Sequence, residues 1–215
     1  MSNSREEQRN ITRMGNPAKP QGEEGAIMLT RMNESHFAVT GWALGFWQLC
    51  ESDTVLDIGC GGGATLKRMS DSIVSGKLFG ADYSDVSVGL SIKNNAADVE
   101  RGKTEIIKAS VEALPFADET FDKIITVESF YFWPDPKENL KEVCRVLKRG
   151  GTFLLVADIY NKPGLSRESL ENIKQYNMFN PTESELYDLL STAGFSDIVL
   201  HTKDAEDWIC AEAKK

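Results

Sequence analysis

Glycines and acidic residues that could bind a ligand or take part in a reaction lie where an apolar run of the sequence ends. Residues 54–66 are TVLDIGCGGGATL, in which Gly59 and the glycines at 61, 62 and 63 interrupt the run before a helix-like segment. This pattern predicts a strand, a tight turn and the start of a helix. Because glycine has no Cβ, such a turn lets a ligand approach the main chain directly. We expect a flat, adenosine-sized ligand there.

Asp57 indicates which adenosine cofactor suits the turn. The spacing Gly59-x-Gly61-x-x-Ala64 also satisfies the dinucleotide fingerprint, so the glycines alone do not exclude a nicotinamide cofactor. A carboxylate two residues before Gly59 would repel a diphosphate, and it would attract a cofactor that carries an ammonium and a sulfonium. S-adenosylmethionine is the expected cofactor. The alternative is that Asp57 only caps the turn or the following helix.

A second acid, Asp82, ends the predicted second strand at residues 77–81. It lies 25 residues after Asp57, close to the spacing at which an open α/β fold places a carboxylate on a ribose diol. We therefore expect Asp82 to accept hydrogen bonds from both ribose hydroxyls. The alternative is an N-cap for the helix that begins near Asp85, although Ser84 could fill that role equally well.

The candidates for the acceptor side follow later strands. Residues 128–133, ESFYFW, come after a predicted strand at 123–127 and suggest an aromatic pocket wall, with core packing as the alternative. Glu128, Tyr131 and Asp158 all end strands at this edge, yet the sequence assigns no catalytic residue among them. A base is needed only if the methyl acceptor arrives protonated.

The two histidines differ in their expected positions. His36 falls in a predicted helical lid and is a further candidate base, with a surface or packing role as the alternative. His201 falls in a predicted edge strand far from the pocket, so we set it aside. We expect no metal site, because Cys50, Cys60, Cys144 and Cys210 form no CxxC pair; their spacing also suggests no disulfide framework.

Composition limits the classes of partner. The chain has 215 residues, of which 41% are hydrophobic, and this fits one α/β domain with a full core. With 24 basic and 33 acidic residues, the net charge of -9 argues against a nucleic-acid partner. The sequence contains no apolar stretch of about 18 residues and opens on a polar segment, so we expect no membrane partner and a cytoplasmic location.

The order of local patterns predicts the domain organisation. Residues 1–24 are polar, with two glycines and two prolines, and are expected to form a flexible arm. A single domain is expected over 25–215. Within it, 25–50 should form a helical lid, or alternatively pack at the edge of the sheet, and 159–181 should be an insertion on the substrate side.

Several signals mark the ends of elements in the second half of the chain. Gly150-Gly151 should end a helix that begins at Asp135-Pro136, and Thr182-x-x-Glu185 should be a capping box at the start of another. The last two strands, near 196–202 and 206–213, have no helix between them. They should pair as an antiparallel hairpin at the edge of the sheet.

Five segments in succession resemble the motifs of one known family. They are VLDIGCGGG at 55–63, GADYS at 80–84, ASVEALPF at 109–116, FDKIITVESFYFWPD at 121–135 and RVLKRGG at 145–151. In this order they are similar to the class I S-adenosylmethionine-dependent methyltransferases, and among these to the small-molecule methyltransferases with a type 11 methyltransferase domain. The resemblance covers roughly residues 40–215. It implies an α/β, Rossmann-like fold with a seven-stranded, mostly parallel sheet in the order 3-2-1-4-5-7-6, strand 7 antiparallel, and helices on both faces.

The resemblance also implies roles for particular residues. By motif position, the methionine part of the cofactor would meet Asp57 and the Gly59–Gly61 turn, which includes Cys60, and Glu128 would lie nearby. Asp82 would bind the ribose.

The adenine side follows from the same motifs. Tyr83 would lie against the adenine, and Ser110 and Val111 would border it. Many relatives have Asp at the position of Ser110. A serine accepts the same hydrogen bond without a charge, so we expect a weaker adenine contact, or one that rests on backbone groups.

The expected function is therefore transfer of a methyl group from S-adenosylmethionine to a small organic molecule by in-line displacement, performed by a monomer or homodimer. Two alternatives remain open at this point. One is a nicotinamide-dependent oxidoreductase, against which Asp57 is the chief objection. The other is a protein that binds the cofactor but has no acceptor chemistry.

Overall fold

A computed structural model describes residues 5–203 and 205–215 of the chain. The helices are α1 Arg5–Gly15, α2 Gly22–Ser35, α3 Phe37–Leu44, α4 Ala64–Met69, α5 Asp85–Asn94, α6 Ala96–Glu100, α7 Pro136–Val146, α8 Arg167–Gln175 and α9 Glu183–Ala193. The strands are β1 Thr54–Ile58, β2 Lys77–Asp82, β3 Thr104–Lys108, β4 Phe121–Val127, β5 Leu147–Ala157, β6 Ser196–Thr202 and β7 Ile209–Lys214.

The strands form one seven-stranded sheet in the order β3-β2-β1-β4-β5-β7-β6. The pairs from β3 to β5 are parallel, and β7 runs antiparallel to both β5 and β6. The predicted fold class and the terminal hairpin are confirmed. Because β1, β2, β4 and β5 are parallel, their carboxyl ends meet at one edge of the sheet, where ligands bind in open α/β folds.

Alternate residues of the central strands face two separate cores. Leu56, Ile124 and Phe153 pack into one cluster, which includes buried residues of α7 and α9. Their neighbours in sequence, Val55 and Ile125, pack into the other cluster with residues of α3 and α4. Successive side chains of a strand point to opposite faces, so the continuous apolar runs predicted here place helices on both sides of the sheet.

Some element boundaries differ from those that the sequence predicts. The helix α7 ends at Val146, and β5 begins at once with Leu147, so Gly150-Gly151 lies inside the strand and does not end the helix. Leu147 pairs with Phe121, and the register shifts after that pair. A Cβ on Gly151 would lie 2.8 Å from the Asp122 carbonyl oxygen, so close strand packing requires a glycine there.

The predicted capping signals are present. Asp135 accepts the backbone N–H of Glu138 at 3.2 Å, at the start of α7. Thr182 and Glu185 form the expected capping box of α9, with the Thr182 N–H donating to Glu185 Oε2 at 2.8 Å. In the expected substrate-side insertion, 159–181, the structure has a helix of its own, α8.

The amino-terminal region contains a helix that the composition does not predict. Of the expected flexible arm at 1–24, residues 1–4 lie outside the described residues, and Arg5–Gly15 forms α1, which packs against α2. Arg31 of α2 donates to the Gln8 carbonyl oxygen at 3.2 Å. Mobility of this arm in solution stays a prediction. Among the described residues, every helix is too short or too polar to cross a membrane.

Candidate functional site

The turn after β1 depends on glycine backbone geometry. Gly59 has φ +71°, and a Cβ there would lie 2.5 Å from Cβ and Oγ of Ser129. Its N–H donates to the Ala81 carbonyl oxygen at 2.8 Å, which joins the turn to the end of β2. Gly61 and Gly63 also have positive φ. A side chain at Gly59 would therefore be both strained and obstructed, and the main chain at this turn stays open to a ligand.

Asp57 is a buried acid with an unused oxygen. It is 1% exposed, and among the described residues its Oδ2 has no hydrogen-bond partner. Burial, together with the nearby Asp82 carboxylate, raises the pKa of Asp57 well above its ordinary value. The N-cap position of α4 is Gly63, with no side-chain hydrogen bond, so Asp57 does not cap that helix. The carboxylate suits a cation that enters the cavity.

Asp82 links two loops at the edge of the sheet. One oxygen, Oδ2, accepts the Gly61 N–H at 3.0 Å, and Oδ1 accepts the Ser84 N–H at 2.9 Å. Ser84 is the N-cap of α5 and accepts the Ser87 N–H at 3.2 Å, so the capping alternative for Asp82 does not hold. Burial raises the pKa of Asp82, while these N–H groups oppose that shift. Each carboxylate oxygen can accept further hydrogen bonds.

One cavity brings together nearly all of the site residues predicted from the sequence. Its lining includes Asp57, Gly59, Cys60, Gly61, Asp82, Tyr83, Ser110, Val111, Glu128 and His36. Tyr131 is not part of the lining and is buried in the core, and Asp158, the other candidate at a strand end, does not line the cavity either. Ser110 Oγ donates to Glu112 Oε2 at 3.0 Å and accepts the Glu112 N–H at 3.2 Å, so its hydroxyl already takes part in a local turn.

A segment between α1 and α2 covers the side of the cavity near Tyr83. Pro17, Ala18 and Pro20 belong to the cavity lining. The Tyr83 hydroxyl donates to the Ala18 carbonyl oxygen, and Ser84 Oγ donates to the Pro20 carbonyl oxygen at 2.5 Å. We call residues 16–20 the strap. The sequence assigns these residues to the flexible arm, so their place in the cavity wall was missed.

The other end of the cavity contains a strained acid. Glu128, directly after β4, has φ +56°, an uncommon conformation for a residue other than glycine. The Tyr131 hydroxyl donates to Glu128 Oε2 at 2.7 Å, and Oε1 has no partner among the described residues. Burial first, and then the Asp158 carboxylate, raises the pKa of Glu128 well above its ordinary value. His36 Nε2 lies 4.0 Å from Glu128 Oε2.

The aromatic segment after β4 divides between the two roles that the sequence left open. Phe132 and Trp133 line the cavity, and Trp133 Nε1 donates to Ser129 Oγ at 3.2 Å. Phe130 and Tyr131 are buried in the core, where Phe130 packs edge to face on Trp133 with ring centroids 5.2 Å apart. The segment thus contributes both to a pocket wall and to the core.

The sequence predicts a helical lid at 25–50 that contains His36, but it does not predict which face of α2 and α3 lines the cavity. Leu29, Asn33, His36 and Thr40 all line it. Their spacing of four, three and four residues is that of one helix face, a signal that could have identified them. Arg68 was missed as well; it lines the cavity from α4, stacks over the Phe37 ring at 4.3 Å and donates to the Phe37 carbonyl oxygen at 2.8 Å.

Comparison with known proteins agrees with this geometry. Residues 56–155 match the family described as "Methyltransferase domain", the type 11 methyltransferase domain. The chain is 27% identical over 176 residues to "Uncharacterized methyltransferase YdaC" of Bacillus subtilis (strain 168), which covers 81% of this chain and 90% of that protein.

Two further similarities are more limited. A chloroplastic 2-methyl-6-phytyl-1,4-hydroquinone methyltransferase 1 of Oryza sativa subsp. japonica is 34% identical over 93 residues, which are 43% of this chain and 27% of that protein. The match thus spans about a quarter of the rice protein. A solved structure titled as a complex of the Haloferax volcanii Trm112 methyltransferase activator and a methyltransferase has a TM-score of 0.75 at 24% identity, covering 86% of this chain and 92% of that one. It shows the fold alone.

The sheet order, the glycine turn and the acids near the ends of β1 and β2 define a class I S-adenosylmethionine-dependent methyltransferase. Residues 56–155, a little under half of the chain, match the type 11 methyltransferase domain. Among the alternatives left open by the sequence, this match argues against the nicotinamide-dependent oxidoreductase.

The residues of the cavity fit S-adenosylmethionine. The cofactor carries an ammonium and a sulfonium, and the unused Asp57 Oδ2 offers a buried negative partner to a positive group. The positive φ angles at Gly59 and Gly61 leave the main chain free of Cβ atoms next to that acid. Asp82 lies at the neighbouring strand end with capacity for more donors.

Proposed function

We propose that this protein transfers the methyl group of S-adenosylmethionine to a small organic molecule. The observation that supports this most directly is the continuity of one cavity. The glycine turn and Asp82 line one part of it, and Phe132, Trp133 and the α2–α3 face line another. A cofactor and an acceptor can therefore meet inside a single cavity, as in-line displacement requires.

The proposed cofactor contacts follow the strand ends. Asp57 and the turn from Gly59 to Gly61, including Cys60, hold the methionine part, and Asp82 accepts the ribose hydroxyls. Tyr83, Ser110 and Val111 border the adenine, as the five motifs predict. Tyr83 is 38% exposed and is held by the strap, which supports a role at the rim of the adenine site. Glu128 would lie at the end of the cofactor that carries the methyl group.

The protein contributes placement and exclusion of water to this reaction. When bound, the cofactor supplies a methyl group on a positively charged sulfur, which is already a good leaving group. The α2–α3 face and the strap cover the cavity, so an acceptor held against them is shielded from bulk water. We propose that residues 25–50 form a lid, which opens for the acceptor and closes over it.

The charges of the cavity favour a neutral or cationic acceptor. Its lining contains four carboxylates, those of Asp57, Asp82, Glu112 and Glu128, against a single permanent cation, Arg68. The guanidinium of Arg68 is engaged by the Phe37 ring and carbonyl. A phosphorylated or polyanionic acceptor would therefore meet net repulsion, whereas aromatic faces such as Trp133 can stack on an apolar or cationic one.

A panel of small organic acceptors, with release of S-adenosylhomocysteine as the readout, tests the proposal. We expect turnover with neutral or cationic phenols, alcohols or amines, and none with bulk RNA or DNA. Calorimetry with S-adenosylmethionine and with NADH checks the cofactor independently. Salt-sensitive methylation of nucleic acid would contradict the small-molecule proposal. Tight cofactor binding with no turnover across the panel would favour the cofactor-binding alternative.

Two variants test where the acceptor binds, once an acceptor has been identified. Phe132 is half-buried in the cavity wall, so Phe132→Leu should raise the KM of the acceptor while cofactor affinity stays within about threefold. Phe46→Leu is the matched control, because that ring stacks on His201 at 3.9 Å outside the cavity. Equal effects of the two substitutions on KM would contradict the proposed location.

A further inference from the structure

We propose that His36, Glu128 and Asp158 form one proton-accepting site, in which His36 removes the proton from an acceptor that carries one, a hydroxyl or an ammonium group. This inference rests on the proposed function and makes it more specific, because it restricts the acceptor to nucleophiles that must lose a proton. Sequence reasoning placed Glu128 and Asp158 at one edge of the sheet and His36 in the lid, but it did not bring the three residues together.

Three distant segments bring the groups together. His36 joins α2 to α3, Glu128 follows β4, and Asp158 follows β5. One nitrogen of His36 and one oxygen from each acid all lie within 4.8 Å of one another. His36 and Glu128 line the cavity, whereas Asp158 does not, so the first two can touch an acceptor and Asp158 acts through them.

The charges facing His36 are mostly negative. Glu128 and Asp158 face it from the sheet edge, and Tyr131 adds a hydroxyl that donates to Glu128 at 2.7 Å. The cation Arg68 is held by Phe37, the residue that follows His36: it lies over the Phe37 ring and donates to the Phe37 carbonyl oxygen. Glu128 Oε2 lies 4.0 Å from His36 Nε2 and would form an ion pair with a protonated imidazole. A protonated His36 would thus be stabilised by the negative charge beside it.

The protonation states fit this role. Burial lowers the pKa of His36, with Asp158 opposing that shift, so the imidazole is neutral at neutral pH and has a free nitrogen lone pair. Burial and the Asp158 carboxylate raise the pKa of Glu128, so Glu128 binds a proton more readily than an exposed glutamate does. A neutral base with the Asp158 carboxylate close by can take up a proton, because that charge favours the resulting imidazolium.

The proposed step balances. The proton of the acceptor moves to a ring nitrogen of His36, and for an ammonium group this transfer comes first and leaves the lone pair on the nitrogen. That lone pair, or one on the oxygen of a hydroxyl acceptor, forms a bond to the methyl carbon, and the sulfur keeps the electron pair of the bond that breaks. His36 is thus the proposed catalytic residue, and Asp158 and Tyr131 are positioning residues.

Nuclear magnetic resonance tests the coupling without any acceptor. The chain has two histidines, so His201→Gln leaves His36 as a single imidazole signal to titrate. In that background Asp158→Asn should lower the pKa of His36, because a negative charge that favours the imidazolium is removed. The control Asp188→Asn, an exposed acid on α9, should leave it unchanged. An unchanged His36 titration in a folded Asp158→Asn variant overturns the proposal.

Kinetics test the catalytic role with any acceptor found in the panel. For a hydroxyl or ammonium acceptor, His36→Gln should lower kcat about 100-fold or more, with cofactor affinity within about threefold. Added imidazole should restore part of the activity of His36→Ala. A kcat of His36→Gln within about threefold of the unsubstituted protein, or turnover only of acceptors that carry no proton, overturns the proposal.

Two other outcomes are distinguishable. If no panel member is methylated, the proposed function fails, while the His36 titration still decides whether the three groups form a coupled site. The second outcome is that the three residues form a metal site, and Mn²⁺ is the probe for it. Mn²⁺ binding that selectively broadens the His36 signal, and that Asp158→Asn removes, would make these residues metal ligands and overturn the proton-accepting role.

Discussion

The Asp82 carboxylate accepts the backbone N–H of Gly61 at 3.0 Å, and this bond ties the end of β2 to the glycine turn after β1. The same acid accepts the N–H of Ser84, whose hydroxyl donates to the strap at Pro20. One buried carboxylate thus connects the turn, the start of α5 and the amino-terminal segment. Substitutions in any of these parts should affect cofactor binding.

The first prediction concerns Asp82 itself. Asp82→Ala should weaken S-adenosylmethionine binding by about 2–4 kcal/mol, because it removes charge-assisted hydrogen bonds to the ribose and loosens the Gly61 turn. Calorimetry measures this loss. Glu105→Ala is the control, since that exposed acid of β3 pairs with Lys77 at 3.3 Å at the surface. An affinity for folded Asp82→Ala within about threefold of that of the unsubstituted protein would refute the ribose assignment.

A second prediction follows from the raised pKa of Asp57. Between the ordinary pKa of an aspartate and the raised folded value, the folded state holds a proton that the unfolded state has lost. The free protein therefore loses stability as the pH rises through this range. Asp57→Asn removes this pH-dependent loss of stability. The Tm of Asp57→Asn minus the Tm of the unsubstituted protein should therefore increase from pH 5 to pH 8. A difference in Tm that does not vary with pH would be evidence against the buried, uncompensated acid.

The third prediction compares two glycines. Gly59→Ala places a Cβ 2.5 Å from Ser129 at φ +71°, so we expect a loss of about 2–4 kcal/mol in unfolding free energy, together with weaker cofactor binding. Gly89→Ala in α5 meets no atom within 4 Å and should stabilise the protein by about 0.5–1 kcal/mol through helix propensity. Denaturant unfolding measures both. Similar effects of the two substitutions would contradict the close approach at Gly59.

The strap supplies a fourth prediction. Tyr83→Phe removes the hydroxyl that donates to Ala18, so hydrogen exchange at residues 16–20 should become faster in the free protein. Tyr187→Phe, on the exposed surface of α9, is the control. If exchange of the strap is the same in both variants, the Tyr83 contact does not hold it.

The fifth prediction concerns the lid. Residues 27–37 should be cleaved by a protease in the free protein and protected when S-adenosylmethionine or an acceptor is bound, because closure orders the α2–α3 face over the cavity. Equal cleavage of 27–37 with and without ligand would argue against a lid.

Local patterns in the sequence were enough to predict much of this protein. The glycine turn, the acids Asp57 and Asp82 and the capping box at Thr182 all depend on residues close together in the chain. These local features are determined by short-range geometry, so a sequence suffices to find them. The sheet order, by contrast, was predicted from the motif resemblance.

The tertiary structure decided the relations between distant residues. Packing against α2 makes a helix of the polar segment at Arg5–Gly15, and pairing with Phe121 starts β5 at Leu147. Only the fold separates Phe132 on the cavity wall from Phe130 in the core. It likewise brings His36 to Glu128 and Asp158, because parallel strands end at one edge and a helix from the amino-terminal region closes over it. Such proximity depends on long-range packing, which no local pattern in the sequence encodes.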